Sequence, residues 1–144
     1  MDNTLTSSHA PRWSEPCIID IAKICDPRGN LSFIQNSAAL PFDIARVYWL
    51  YDVPGGRWRD GHAFHTGAEI IICLSGSFDV TLDRGTGTKE TIRLFRPDLG
   101  LYVPPMTWRG IDGFATNSVA LFLASTPYDE ADYIRSYESF KHLV

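Results

Sequence analysis

His62, Phe64 and Glu69 fall in the pattern Gly56-x5-His62-x-Phe64-x4-Glu69-x6-Gly76. An imidazole and a carboxylate on adjoining strands can hold a transition metal or move protons. A catalytic metal site needs about three protein ligands, and this stretch offers only His62 and Glu69. His62 and Phe64 are two apart in an extended segment, so both side chains point the same way, while His65 faces elsewhere. Ten of the thirteen basic residues are arginines, with Arg46, Arg57, Arg59 and Arg109 in or near the candidate segments. Guanidinium forks suit bidentate phosphate recognition, so the chemistry on offer is proton transfer beside a small phosphorylated ligand.

Such residues need a rigid frame, and the rest of the chain supplies a β-rich one. The 144 residues, 44% hydrophobic with 12% aromatic, are those of one globular domain over 16–144, behind a poorly ordered lead-in at 1–15. Short apolar segments alternate with turns at 17–23, 31–35, 44–52, 69–74, 78–82, 91–95, 100–103 and 118–124. Phe78, Val80 and Leu82 alternate with Asp79, Thr81 and Asp83 as in a half-buried strand, and 83–88 reads as a hairpin turn. The run from Ile70 to Leu74 is apolar on both faces, which places that strand between two layers. Only the tail departs from this pattern. Pro127 and the acids after it, with Tyr133, Tyr137 and Phe140 at helical spacing, predict a helix over 127–140.

Composition also narrows the function classes. A net charge of −4 argues against nucleic acid as partner, and no apolar run approaches the roughly 20 residues of a membrane span. The N-terminal stretch lacks the basic and apolar regions of a signal peptide. Cys17, Cys25 and Cys73 are odd in number and form no C-x-x-C pair, as expected of reduced thiols in the cytoplasm.

The glycine, histidine and glutamate spacing resembles the first cupin motif, with Phe64 in place of its second histidine. In the stretch Gly100–Arg109, similar to the second motif, Arg109 stands where the third metal histidine would be. The expected fold is therefore all-β: a cupin-type double-stranded β-helix, or jelly roll, with a short C-terminal helix. No metal and no other cofactor is expected, because a fixed cation at Arg109 opposes a divalent ion.

More specifically, the chain resembles the sugar-nucleotide 3,4-ketoisomerases, the WxcM-like cupins. The resemblance covers roughly residues 17–142 and rests on several stretches. These are Arg28-Gly-Asn-Leu31, Ile44-Ala-Arg-Val-Tyr48, Arg59-Asp-Gly-His-Ala-Phe64, Cys73–Asp79, Gly100–Val103, Trp108-Arg109 and, most specifically, Ser125–Arg135. It implies conversion of a dTDP-4-keto-6-deoxyhexose into its 3-keto isomer without a metal, for deoxyamino-sugar biosynthesis. It also implies a homodimer, with His62 as the base and Tyr48 nearby as the second catalytic residue.

Moving a carbonyl from C4 to C3 requires loss of the C3 proton, an enediol, and protonation at C4. One imidazole with a pKa near 6.5 can do both transfers. Tyr48 or Arg109 would answer the charge arising on the ketone oxygen. Arg28, Arg59 and Arg109 are expected on the diphosphate or sugar hydroxyls, and Arg46 either there or paired with an acid at a strand edge. Phe64 would wall off water beside the sugar methyl or the thymine. Tyr102 and Trp108 would stack on the base or fill the core. Glu69 would orient His62, or be a remnant of the metal frame. Two alternatives are a non-catalytic sugar-nucleotide-binding cupin and a 3,5-epimerase, although no Asp here matches the epimerase His–Asp dyad.

Overall fold

The computed structural model describes residues 12–55 and 59–144, without the side chains of Arg12, Arg59 and Asp60. Eleven of the expected lead-in residues, 1–11, lie outside this set. Residues Arg12–Ser14 form a single 3₁₀ turn, and Trp13 packs edge-on against Tyr102 at 5.2 Å.

Two five-stranded antiparallel sheets face each other. The first runs β1 (Cys17–Asp20), β9 (Leu99–Val103), β6 (Glu69–Ser75), β11 (Val119–Ala124) and β4 (Arg46–Leu50). The second runs β12 (Tyr133–Ile134), β5 (Arg59–Phe64), β10 (Trp108–Asp112), β7 (Phe78–Asp83) and β8 (Lys89–Leu94). A ribbon of β2 (Ala22–Ile24) and β3 (Leu31–Phe33) stands apart. This is the jelly roll expected from the sequence.

β6 lies in the middle of its sheet and is buried on both faces from Glu69 to Cys73. Its odd positions, Ile71 and Cys73, join Phe78, Val80, Leu82, Leu101 and Phe122 between the sheets. Its even positions, Ile70 and Ile72, pack with Tyr102, Trp13 and Phe42 on the outer side. The β6–β7 turn needs Gly76 at φ +75°, since a Cβ there would meet Ser118 Oγ at 2.3 Å.

The tail is not the helix expected over 127–140. Asp129 caps a 3₁₀ turn at Glu130–Asp132, Tyr133–Ile134 forms β12, and only α1 (Tyr137–Leu143) is helical. The aromatic spacing is helical by coincidence. Tyr133 pairs with Phe64 across the sheet edge, while Tyr137 and Phe140 pack on Trp108 at 5.4 and 5.8 Å. Ser136 caps α1 by accepting the Ser139 N–H.

Candidate active site

Strand register brings one polar set together inside the barrel. In the first sheet Arg46, Ala124, Glu69 and Val103 stand opposite one another, and Tyr48, Phe122 and Ile71 form the next row. In the second sheet Tyr133 opposes Phe64, and His62 opposes Arg109. Alternation along each strand turns these side chains inward. Beyond them the interior is apolar.

Arg109 and Glu69 are fully buried and form an ion pair, Arg109 Nη1 donating to Glu69 Oε1 at 2.9 Å. The other oxygen of Glu69 accepts the Tyr48 hydroxyl in a short hydrogen bond. Burial, and then the Glu69 charge, push the Tyr48 phenol well above its usual range. Tyr48 stacks on Phe122 with ring centroids 4.5 Å apart.

His62 lies beside this network without joining it. Its ring meets Phe64 edge-on at 4.9 Å and Tyr133 at 5.3 Å, and its buried Nε2 has no hydrogen-bond partner among the described residues. Burial lowers its pKa most, followed by the guanidiniums of Arg109, Arg135 and Arg46, down to about 3. The free imidazole is therefore a neutral acceptor at pH 7, held lower than the ordinary value near 6.5 expected from the sequence.

Arginines line the same space. Arg46 lies over the Tyr48 ring at 5.0 Å and the Phe64 ring at 5.9 Å, and its Nη1 is 3.5 Å from the Tyr133 hydroxyl. Among the described residues it has no acid partner of the kind the strand-edge pairing would need. Arg109 lies over the other side of Phe64 at 5.0 Å. Four buried side-chain atoms lack a partner among the described residues: Arg46 Nε, Arg109 Nε, Arg109 Nη2 and His62 Nε2. All four belong to this cluster, and such orphans are rare enough to mark a place where a ligand binds.

Other candidate residues lie outside this cluster, Tyr102 and Trp108 taking the core alternative given for them. Glu69 does not orient His62, because both its oxygens are taken by Arg109 and Tyr48. Tyr102 is in the core behind the first sheet, its hydroxyl donating to the Trp13 carbonyl at 2.8 Å, since Leu101 and Val103 take the inward positions of β9. Trp108 likewise faces outward under α1, because its neighbour Arg109 faces in. Arg28 sits in the β2–β3 turn, its side chain 91% exposed and paired with Asp26 at 2.9 Å, with no contact to the cluster. The side chain of Arg59, like Arg57 as a whole, lies outside the described residues.

Three tail residues belong to the site that the sequence reading did not place there. Tyr133 packs on His62 and Phe64, and Arg135 lies over the Tyr133 ring at 4.3 Å. Asp132, mostly buried, accepts from Thr66 N, Thr66 Oγ1 and Gly67 N at 2.8–2.9 Å, fixing the turn between β5 and β6. A Cβ on Gly67 would meet Asp132 Oδ2 at 2.9 Å, so the turn needs glycine there. Met106, at φ +56°, donates its N–H to the Phe64 carbonyl at 2.8 Å and holds the end of β5 from the other side. Strain of this kind gathers at functional sites.

The model of the FdtA family, described as WxcM-like, C-terminal, matches residues 14–144. The chain belongs to that family. It is 41% identical over 127 residues to the TDP-4-oxo-6-deoxy-alpha-D-glucose-3,4-oxoisomerase of Aneurinibacillus thermoaerophilus, covering 88% of this chain and 91% of that one. Among solved structures, it is similar to a His-to-Asn variant of the 3,4-ketoisomerase QdtA from Thermoanaerobacterium thermosaccharolyticum, in complex with TDP-4-keto-6-deoxyglucose. That match has a TM-score of 0.86 and 34% identity, covering 90% of this chain and 93% of that one. The TDP-quinovose 3,4-ketoisomerase WlaRB from Campylobacter jejuni matches with a TM-score of 0.83 and 38% identity, over 88% of this chain and 97% of that one.

Proposed function

We propose that this protein is an isomerase that converts a dTDP-linked 4-keto-6-deoxyhexose into its 3-keto isomer, serving deoxyamino-sugar biosynthesis. The observation that carries the reading is His62, whose buried Nε2 is neutral, unpartnered and surrounded by guanidiniums. The relatives named for this reaction, one of them solved with TDP-4-keto-6-deoxyglucose, support the substrate class.

His62 takes the C3 proton as the electron pair shifts to form the C3=C4 enediolate, and the imidazolium returns a proton at C4. Positioned proton transfer of this kind contributes roughly 10²–10⁴-fold. Arg46 and Arg109, with unpartnered N–H groups in a water-poor interior, answer the charge on O4 and on the diphosphate. Phe64 excludes water between them.

No metal takes part in this scheme. Phe64 and Arg109 occupy positions a metal-binding cupin gives to histidine, and Glu69 is already committed. Among the described residues no three His, Cys, Asp or Glu side chains gather as a metal site would require.

The protein works in the cytoplasm as a homodimer in this reading. Cys17, Cys25 and Cys73 are free thiols, and no helix among the described residues is long and apolar enough to cross a membrane. Ile24, Leu31 and Phe33 on the β2–β3 ribbon are 54%, 59% and 47% exposed, and Trp49 on the edge strand β4 is 59% exposed. A second copy would cover these apolar faces. Light scattering should give twice the 16.2 kDa chain mass, and the monomer value would overturn the dimer.

Proton NMR of dTDP-4-keto-6-deoxyglucose incubated with the protein tests the function. The 3-keto sugar should form at the same rate with and without a chelator. Recovery of unchanged substrate would refute the activity, and loss of activity on chelation restored by a divalent ion would refute metal independence.

A further inference from the structure

We propose that Trp108 is a positioning residue for the reaction: packed on Gly61 from outside the barrel, it holds the irregularity in β5 that turns His62 inward. This rests on the ketoisomerase reading above.

The two strands do not keep step beside the base. Arg109 pairs with His62, yet Ile111 pairs with Arg59, so β5 carries one residue more than β10 across the interval. This is a β-bulge immediately before His62. Ile111 is buried between the sheets, and Arg109 reaches Glu69 in the same interior. Residues opposite one another on antiparallel strands share a face, so β5 must present an inward position opposite each. Counted from residue 59 by strict alternation, the position opposite Arg109 would be Gly61, and His62 would face outward. The extra residue corrects the count. Bulges re-aim side chains in this way and are common beside active sites.

Something must hold the bulge, because a one-residue slip would remove it. Gly61 faces outward, and the Trp108 indole fills the space its missing side chain leaves. A Cβ there would meet Trp108 Nε1 at 2.3 Å, Cε2 at 2.7 Å and the Arg109 carbonyl oxygen at 2.8 Å. Trp108 is itself braced. Tyr137 and Phe140 of α1 pack on its ring, and the Tyr137 hydroxyl donates to Asp83, the residue paired with Trp108 across β7 and β10. At the next outward position of β5, Ala63 is closed over by Phe140 and Ile134. The terminal helix thus acts on the base through the indole and the strand behind it.

His62 depends on that support. No hydrogen bond among the described residues aims its Nε2, so the backbone behind it and the rings beside it must do so. A displacement of about 1 Å can cost on the order of 100-fold in rate.

The test replaces the indole in two steps. Trp108→Leu keeps apolar bulk without a flat ring, and Trp108→Phe keeps a smaller ring. Turnover of dTDP-4-keto-6-deoxyglucose is followed by NMR, TDP binding by calorimetry and folding by circular dichroism. Trp108→Leu should lose about 10–100-fold in kcat, while KM and the Kd for TDP stay within about 3-fold of wild type. Trp108→Phe should recover about 3-fold or more of the lost kcat. A leucine variant with wild-type kcat overturns the assignment. So does one whose KM and Kd for TDP rise as kcat falls, as a general collapse of the site would give, and so does a phenylalanine variant no better than leucine. If the leucine variant does not fold, the phenylalanine variant decides: kcat lowered about 3-fold or more at unchanged KM supports the role, and wild-type kcat overturns it. If wild type itself forms no product, the ketoisomerase reading fails and the positioning role goes with it. An active wild type with an insensitive Trp108 removes only the positioning role.

Discussion

The barrel interior has two ends that share the same strands and obey opposite rules. At one end Cys73, Phe78, Val80, Leu94 and Ala120 fill the space between the sheets with apolar side chains. At the other, Arg46, Tyr48, His62, Glu69 and Arg109 bring charges and hydroxyls into the same layer. Apolar contact is non-directional, so the first end tolerates any well-fitting set. In the second, each atom needs a named partner, and among the described residues four buried atoms have none. An unmade hydrogen bond costs about 1–3 kcal/mol, so this end gives up stability that the apolar end supplies. Stability and chemistry are thus divided by strand register, a few residues apart.

The comparison breaks most visibly at Glu69. Glu69→Leu leaves the Arg109 guanidinium buried without its carboxylate and frees the Tyr48 hydroxyl, which should cost about 3–5 kcal/mol of folding stability in urea unfolding. Leu101→Ala at the apolar end should cost about 2–5 kcal/mol by leaving a cavity. The two variants should differ in turnover. Folded Leu101→Ala retains wild-type kcat, whereas Glu69→Leu loses activity as well. A Glu69→Leu variant of wild-type stability would show that the polar end carries no structural load.

His62→Asn should show the reverse balance. It removes a ring whose Nε2 has no partner among the described residues, so the fold survives, while isomerisation falls by roughly 100-fold or more. Turnover close to wild type in NMR assays would remove His62 as the base and reduce the polar end to a binding surface.

A pH series sharpens the same contrast. His62 is held neutral in the fold down to about 3, whereas in the unfolded chain it protonates near 6.5. Between these values the unfolded state binds the extra proton, so this group makes stability rise with pH and ceases to act above about 6.5. Urea unfolding at about pH 4.5 and pH 7 should therefore differ more for wild type than for His62→Asn. Equal differences would mean that the imidazole is not held neutral in the fold.

Much of this division was readable in the chain, because period alone determines it. The alternation of Phe78, Val80 and Leu82, the hairpin at 83–88 and the doubly apolar run after Glu69 each rest on local rules, and β6, β7 and β8 follow them. The shared facing of His62 and Phe64 was readable for the same reason. What spacing could not supply was pairing between distant segments. Tyr133 reads as helical with Tyr137 and Phe140 until β12 is known to pair with β5. Tyr102 and Trp108 were left between stacking on the base and filling the core, and the core place is the one they take, since each adjoins an inward residue, Val103 and Arg109. Strict alternation, applied one position further, would have turned both outward.

Phe64 tests where the boundary between the two ends runs, and its expected effect is the smallest. The ring is 1% exposed, sandwiched between the Arg46 and Arg109 guanidiniums at 5.9 and 5.0 Å, and touches both His62 and Tyr133. It behaves as packing inside the polar end, because it can neither donate nor accept a proton. Phe64→His keeps a flat ring of similar reach but loses apolar area and aromatic face, which should cost about 1–2 kcal/mol in urea unfolding. The new imidazole would sit between two guanidiniums and stay neutral at pH 7, so it adds an acceptor without adding charge. The product-formation rate should stay within about 10-fold of wild type, because His62 still performs the carbon proton transfers. A gain of about 100-fold or more would show instead that the isomerisation needs a second titratable ring, and that Phe64 belongs to a binding protein rather than to the wall of an active enzyme.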